Sequence, residues 1–307
     1  MSINVFIDGA AGTTGLEIAE RLASRAEFTL LTLDEAQRKS SAARLDAYHS
    51  ADFAVLCLPD AAAIEAVAMA AGAKARIIDA SSAHRVAPGW TYGFPELTGC
   101  GEVAGATRVS NPGCYATGFL ALLAPLVRAG LLPAAWPYTV HAVSGYSGGG
   151  KALIARFEQD PDIAFRAYGL GLGHKHLPEM QRYAGLTHAP VFCPAVVPAH
   201  RGMVVEVPLP LAAIPDAASP DRLRDALAHF YEGSAVVQVH ADTPDEVLLR
   251  RSTPSSDRLD LHVFGGAEGQ QARLLARLDN LGKGASGAAV QNLNLMAGLP
   301  ETSGLAL

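Results

Sequence analysis

Gly9, Gly12 and Gly15 stand three residues apart between a short apolar run, residues 2–8, and a helical pattern through Leu16, Ile18, Ala19, Leu22 and Ala23. Strand, glycine turn and helix in that order open a dinucleotide-binding unit. The glycines let the backbone approach a pyrophosphate, and the helix N-terminus faces its charge. The spacing is GxxGxxG rather than GxGxxG, and an isolated motif of this kind would be an ordinary glycine-rich turn. Here the pattern continues. Further strands are expected at Phe28–Leu33, at residues 53–58 and at Arg76–Asp79, with a helix from Asp60 through Ile64, Val67, Ala68 and Ala71. The run 53–58 is apolar throughout, as in a strand covered on both faces of a parallel sheet. Residues 1–82 therefore read as the doubly wound α/β pattern. Asp34 sits where an NAD enzyme places its ribose-binding acid, but Arg38, Lys39 and Ser40 follow at once and suit a 2′-phosphate. NADP is favoured over NAD, the alternative for this trio being a solvated loop.

The chain's 307 residues suffice for two domains, and a composition half hydrophobic and 18% charged excludes global disorder. A net charge of −6 without any basic cluster argues against a nucleic-acid partner. No apolar run reaches the roughly 18 residues of a membrane span, and the N-terminus reads as a strand rather than a signal peptide. No membrane partner is expected. Cys57, Cys100, Cys114 and Cys193 show neither a CxxC pair nor zinc-type spacing. No disulfide framework and no metal site are expected, and the compartment reads as reducing and cytoplasmic.

The stretch Ser110-Asn111-Pro112-Gly113-Cys114-Tyr115-Ala116-Thr117-Gly118 carries the chemistry. Pro112 and Gly113 break regular structure, and a long apolar helix pattern follows, so Cys114 falls on a tight turn at a helix N-terminus. The positive end of the helix dipole favours thiolate, which makes the residue a candidate nucleophile; the alternative is a small buried hydrophobe. Residues 83–109 read as an irregular, aromatic loop of the kind that binds substrate at the carboxyl ends of parallel strands, with Arg85 available to an anion or to a surface ion pair. The strand at residues 137–144 runs into a second glycine-rich loop, Ser144-Gly145-Tyr146-Ser147-Gly148-Gly149-Gly150-Lys151, suited to a phosphate or cofactor. His174, Lys175 and His176 form the one dense histidine cluster, and Glu179 stands three residues after His176, so the two face the same way at a helix start. A histidine oriented by a carboxylate is the partner a nucleophilic cysteine needs; metal binding is the weaker reading, and a pair of surface histidines the bland one. Arg201 is a second candidate anion clamp. Strands expected near 203–208, 236–240, 259–264 and 273–278, with a helix at 220–232, indicate an α+β domain with a mainly antiparallel sheet. Asn280 is placed to hydrogen-bond an amide or to cap a helix.

The glycine loop, Ser-Asn-Pro-Gly-Cys-Tyr-Ala-Thr, Ser-Gly-Tyr-Ser-Gly-Gly-Gly-Lys, His-Lys-His-Leu-Pro-Glu and Asp-Asn-Leu-Gly-Lys-Gly-Ala-Ser-Gly occur in this order across the whole chain. Together they resemble the N-acetyl-γ-glutamyl-phosphate reductase family in its shorter, type 2 form. The glycine loop departs slightly, with Gly149 where an alanine often stands. The resemblance implies NADPH-dependent reduction of an acyl phosphate to a semialdehyde in arginine biosynthesis. The implied fold is a Rossmann-type domain of residues 1–112 plus 284–307 and a catalytic and dimerisation domain of residues 113–283. By position it makes Cys114 the nucleophile, His176 the preferred acid/base with His174 the alternative, and Glu179 the orienter. Gly9, Gly12, Thr13, Thr14 and Gly15 would hold the NADP(H) pyrophosphate. Arg38 and Lys39, Ser81 and Ser82, Ser147 to Gly149, and Asn280 at the nicotinamide end would make the other cofactor contacts. Arg85, Asn111, Ser144, Gly145 and Arg201 would contact the substrate, N-acetylglutamyl phosphate, or phosphate itself. A homodimer or homotetramer is implied. The nearest rivals are aspartate-semialdehyde dehydrogenase and a lysine-pathway analogue. A non-catalytic NADP sensor and a cysteine hydrolase leave the Cys114 and His176 elements, or the two glycine loops, unexplained.

Overall fold

The computed structural model describes residues 2–307. The chain divides into two compact units, one holding residues up to Pro112 together with Ala285–Leu305, the other Gly113–Gly284 with the last two residues.

The first unit runs β1 (Ile3–Asp8), α1 (Thr13–Ala23), β2 (Phe28–Leu31), α2 (Ser41–Ser50), β3 (Phe53–Leu56), α3 (Asp60–Met69), β4 (Arg76–Asp79), β5 (Thr91–Tyr92), α4 (Pro95–Thr98), α5 (Cys100–Gly105) and β6 (Arg108–Ser110). Its six-stranded sheet has the order β2-β1-β3-β4-β6-β5, and every pairing is parallel. Alternate residues of each strand feed two cores. Val5, Ile7, Val55 and Ile78 pack with Ile18 and Leu22 of α1 and with Val290 and Leu293 of the helix Gly287–Met296. Phe6, Ala54, Leu56 and Ile77 pack with Tyr48 of α2 and Ala66 of α3. Burial on both faces is why these strands read as unbroken apolar runs. The chain leaves β1 for β2 on one side and β3 lies on the other, so the glycine loop after β1 stands where the strand order reverses. α2 carries no helical stripe legible in the sequence, since only Ala47 and Tyr48 are buried, but Ser40 Oγ caps it by accepting from the Ala43 N–H at 3.3 Å. The segment 83–109, expected as irregular, contains two short strands and two short helices.

The second unit opens with α6 (Cys114–Arg128), which starts at the cysteine itself and is buried on every side from Tyr115 to Leu126. There follow β7 (Thr139–Gly145), α7 (Gly150–Gln159), β8 (Arg166–Ala167), α8 (Leu177–Ala184), β9 (Val191–Val197), β10 (Met203–Leu209), α9 (Pro220–Phe230), β11 (Val237–Val239), β12 (Leu259–Gly265) and β13 (Ala272–Leu278). The sheet order is β11-β12-β13-β10-β7-β9-β8. Four pairings are antiparallel and two parallel, the α+β architecture expected for this half. α6 lies against β10, β12 and β13 with α9 beside it on β12, while α8 packs on α6. α6 comes close to the sheet because residue 118 is glycine: a Cβ there would lie 2.8 Å from Val205 Cγ2.

Candidate active site

Cys114 is the first residue of α6, after Gly113 as N-cap, with no side-chain cap and no acid in the first turn. The orphan N–H groups of the helix start are therefore presented to whatever lies at the sulfur, and with the dipole they favour negative charge there. The turn is held by a carboxylate: the Gly113 N–H donates to Glu179 Oε2 at 3.1 Å, and Glu179 is buried. The segment leading to Gly284 passes over the cysteine so closely that a Cβ on Gly284 would lie 2.8 Å from the Cys114 Cβ.

Cys114 opens into a cavity of about 430 Å³. The cavity brings together, from the residues expected in the sequence, Cys114, His174, Ser144, Gly145, Gly148 and Gly149; it adds their neighbours Tyr115 and Lys175, and Tyr168, Arg156 and Arg166, to which the sequence assigned no role. Arg166 and Tyr168 share the short segment that precedes the histidines; only that proximity could have suggested them. His176 is 4% exposed and is not a lining residue, whereas its neighbour His174 is. The His176 N–H donates to His174 Nδ1 at 3.1 Å, so the neutral His174 ring carries its proton on Nε2, which lies 3.4 Å from the Tyr168 hydroxyl. Both imidazoles stand with centroids 5.8 Å from the Tyr115 ring. The Tyr115 hydroxyl donates to the Ala195 carbonyl at 3.2 Å. Burial, with the Cys114 charge adding to it, holds the Tyr115 phenol well above its ordinary range, and burial pushes Tyr168 up to about 12. Both remain neutral donors at physiological pH.

The second glycine-rich loop is a single turn, Tyr146–Gly149, that leads into α7. α7 also lacks a side-chain cap and an acid in its first turn, and Gly148 and Gly149 line the cavity, so two uncapped helix starts serve one space. Gly145 must be glycine, because a Cβ there would meet the Ala199 and His200 carbonyls at 2.7 and 2.8 Å. Asn280 braces this loop from behind. Its Nδ2 donates to Ser147 Oγ at 2.9 Å and its Oδ1 accepts from the Gly202 N–H at 2.9 Å, and Asn280 and Ser147 are both 1% exposed. Arg201 donates to Asp279 Oδ2 at 2.8 Å.

In the first unit, Gly9 has φ +90°, and a Cβ there would lie 2.3 Å from the Cys57 carbonyl oxygen; one on Gly15 would lie 2.5 Å from the Gly9 oxygen. α1 begins at Thr13 and Thr14 after Gly12, without a side-chain cap or an acid in its first turn. This cradle fits a dinucleotide pyrophosphate. Arg38 lies in an exposed turn with its Nε donating to the Leu33 carbonyl at 3.1 Å, and Lys39 is 3.7 Å from Glu35. Asp34 caps that turn, its Oδ1 accepting from the Gln37 N–H at 2.8 Å. Asp8, at the end of β1, receives Arg44 at 2.7 Å and Tyr48 at 2.5 Å. The Ser81 and Ser82 hydroxyls donate to Asp79 and Asp60 at 2.7 and 2.6 Å. Arg85 is buried and donates to the Asn111 and Ala80 carbonyls at 3.1 and 3.4 Å. Both ends of the Asn111 amide are engaged, with the Ala285 carbonyl at 2.9 Å and Asn292 at 3.0 Å. Among the described residues no group of three or more His, Cys, Asp or Glu could hold a metal ion, and no helix is long and apolar enough to cross a membrane.

A parallel dinucleotide-type sheet, followed by an α+β unit that opens on a cysteine at a bare helix start, defines an oxidoreductase of the semialdehyde dehydrogenase class. Residues 4–100 match the semialdehyde dehydrogenase NAD binding domain, and residues 114–280 the semialdehyde dehydrogenase dimerisation domain. Aspartate-semialdehyde dehydrogenase II from Vibrio cholerae and a probable aspartate-semialdehyde dehydrogenase from Pseudomonas aeruginosa share the fold. Their TM-scores are 0.70 and 0.71 at 20% and 18% identity, each alignment covering 97% of this chain and 99% of theirs. The chain belongs to the N-acetyl-gamma-glutamyl-phosphate reductases: it is 47% identical to N-acetyl-gamma-glutamyl-phosphate reductase 2 of Nostoc sp. and 50% identical to that of Pseudomonas putida, over 98% of both chains in each case.

Proposed function

We propose that the protein reduces N-acetyl-L-glutamyl 5-phosphate to N-acetyl-L-glutamate 5-semialdehyde and phosphate, with NADPH as reductant and a thioester on Cys114, as a cytoplasmic step of arginine biosynthesis. The observation that carries the covalent route is Cys114 at the uncapped start of α6, in one cavity with His174 and the uncapped start of α7. The thiolate attacks the acyl carbon; the C–S bond forms, the bond from that carbon to the phosphate oxygen breaks, and phosphate leaves. The oxyanion formed on the way meets the N–H groups of the α6 start. His174 donates to it through Nε2–H, held in that tautomer by the His176 amide. His174 thus takes the donor part of the acid/base role, and His176 positions it. Departing phosphate is received at the Gly148-Gly149 turn. Gly9, Gly12, Thr13, Thr14 and Gly15 would hold NADPH, with Arg38 and Lys39 toward its 2′-phosphate, and the bound cofactor would supply the hydride for reduction of the thioester. Collapse of the resulting alkoxide releases the semialdehyde and regenerates the thiolate. Thiolate suits both halves: it is the better nucleophile near neutral pH, and its acyl derivative accepts hydride more readily than an ester would.

Identities of 47% and 50% to named reductases of this substrate support it over aspartate semialdehyde, because the aspartate-semialdehyde dehydrogenases resemble the chain in fold alone. Self-association as a homodimer is proposed for the second unit. Its match is a dimerisation domain, and Phe165, Leu170 and Leu172, all more than half exposed, gather with His141 and Cys193 around one hollow beside the sheet. The assay follows absorbance at 340 nm with NADP, phosphate and N-acetylglutamate semialdehyde. Cys114→Ser is expected to abolish phosphate-dependent NADP reduction nearly completely; retained activity removes the covalent route. His174→Asn is expected to lower turnover by about 10²–10³-fold, and His176→Asn by less. The reverse ranking transfers the donor role to His176.

A further inference from the structure

Arg156, Arg166 and Lys175 line the Cys114 cavity, and none of the three has an ion-pair partner among the described residues. A substrate of the kind proposed above brings two anions into this space. The phosphate is bonded to the carbon that Cys114 attacks, so it lies at the sulfur and the helix starts. The α-carboxylate stays on the product, three carbons from the reacting carbon, and needs a cation of its own, since a carboxylate taken out of water without a partner is costly.

We infer that Arg166 is that cation, and that it makes the enzyme specific for N-acyl amino acid semialdehydes with a free α-carboxylate. This rests on the functional reading above. Arg166 belongs to β8, paired with Val196 of β9, and Val196 also lines the cavity. Its guanidinium carbon lies 4.6 Å from the centroid of the Tyr168 ring, and Tyr168 lines the same cavity as Tyr115, the residue next to Cys114. The cation–π contact restrains the guanidinium, a planar fork of N–H donors. That fork matches the two oxygens of a carboxylate. The other two cations are less fixed: Arg156 and Lys175 are exposed, and the Lys175 ammonium is a point charge on a flexible stem. The arginines singled out in the sequence already have acceptors, Arg201 in Asp279 and Arg85 in main-chain carbonyls.

The test compares N-acetylglutamate semialdehyde with its α-carboxamide in the phosphate-dependent oxidation. The wild-type enzyme is expected to prefer the acid by about 10²–10³-fold in kcat/KM. Arg166→Met should raise KM for the acid by about 100-fold with kcat within about threefold, and leave the amide nearly unchanged, so that the preference disappears. Arg166→Lys, which keeps the charge without the fork, should lose about tenfold of the preference and covers the case in which the methionine variant fails to fold. A wild-type acid/amide ratio in either folded variant overturns the assignment. Should the wild-type enzyme oxidise aspartate semialdehyde and not the N-acetyl compound, the substrate reading falls, and the same acid/amide comparison with aspartate semialdehyde still decides the role of Arg166.

Discussion

At the scale of single residues, position on an element decides what a side chain is for. Cys114 and Cys57 are both half-buried thiols, but one begins a helix and the other follows β3 beside two carboxylates. Burial, then the charges of Asp79 and Asp8, push the Cys57 thiol up to about 12. At pH 8 its thiolate fraction is about 10⁻⁴, so iodoacetamide is expected to label Cys114 first, the exposed Cys100 and Cys193 next, and Cys57 last, as read by peptide mass mapping. Labelling of Cys57 ahead of Cys114 would refute the contrast. That Cys114 begins a helix was legible from Pro112-Gly113-Cys114 because a helix start is a local event. One task of Glu179 was not: the fold carries its carboxylate to the Gly113 N–H, 66 residues away in the chain, which its local spacing does not contain.

At the scale of elements, two glycines of the helices set propensity against packing. An alanine is preferred over glycine in a helix interior by about 1 kcal/mol. At Gly101 in α5 nothing lies within 4 Å of the added Cβ, so Gly101→Ala is expected to stabilise by up to about that amount. At Gly118 the added carbon lies 2.8 Å from Val205 Cγ2, and overpacking of this kind costs about 1–3 kcal/mol, enough to cancel or reverse the gain. Gly118→Ala should therefore lower the urea midpoint of the second unit; a rise comparable to that of Gly101→Ala would show that β10 gives way. The long apolar pattern made α6 readable as a helix. That it is buried all round and pressed onto the sheet at residue 118 depends on β10, which the pattern of α6 does not contain.

At the scale of the whole molecule, the strands distant from the cavity set a pH limit on stability. His262 is stacked between His240, centroids 4.5 Å apart, and Phe264 at 5.7 Å. Burial, then the charge of His240, hold its imidazole below the ordinary 6.5. The fold prefers the neutral ring and the unfolded chain does not, so stability is lost as pH falls below about 6.5. Burial works against ionised Asp260, but hydrogen bonds from His240 and Arg277 outweigh it and keep the carboxyl below its usual range. Its contribution is held above about pH 4 and lost as pH falls through the folded value. The melting temperature of the wild-type protein should decline from pH 6.5 to 5, and that of His262→Phe should decline less; parallel profiles would dismiss the histidine as the cause. Leu170→Asp is expected to shift sedimentation toward the monomer, and an unchanged dimer would place the interface elsewhere. The sequence by itself determined the main strands and the longer helices, the glycine turn after β1, the helix start at Cys114 and the histidine pair, because each rests on a pattern within one or two turns of chain. Only the tertiary structure decided which histidine shares the cavity with Cys114, that Asn280, Arg201 and Asn111 already have partners, and that Arg166 has no acid paired with it among the described residues. The reason is physical: whether a donor or a charge is available to a ligand depends on what lies across from it, and here that comes from strands and loops far away in the chain.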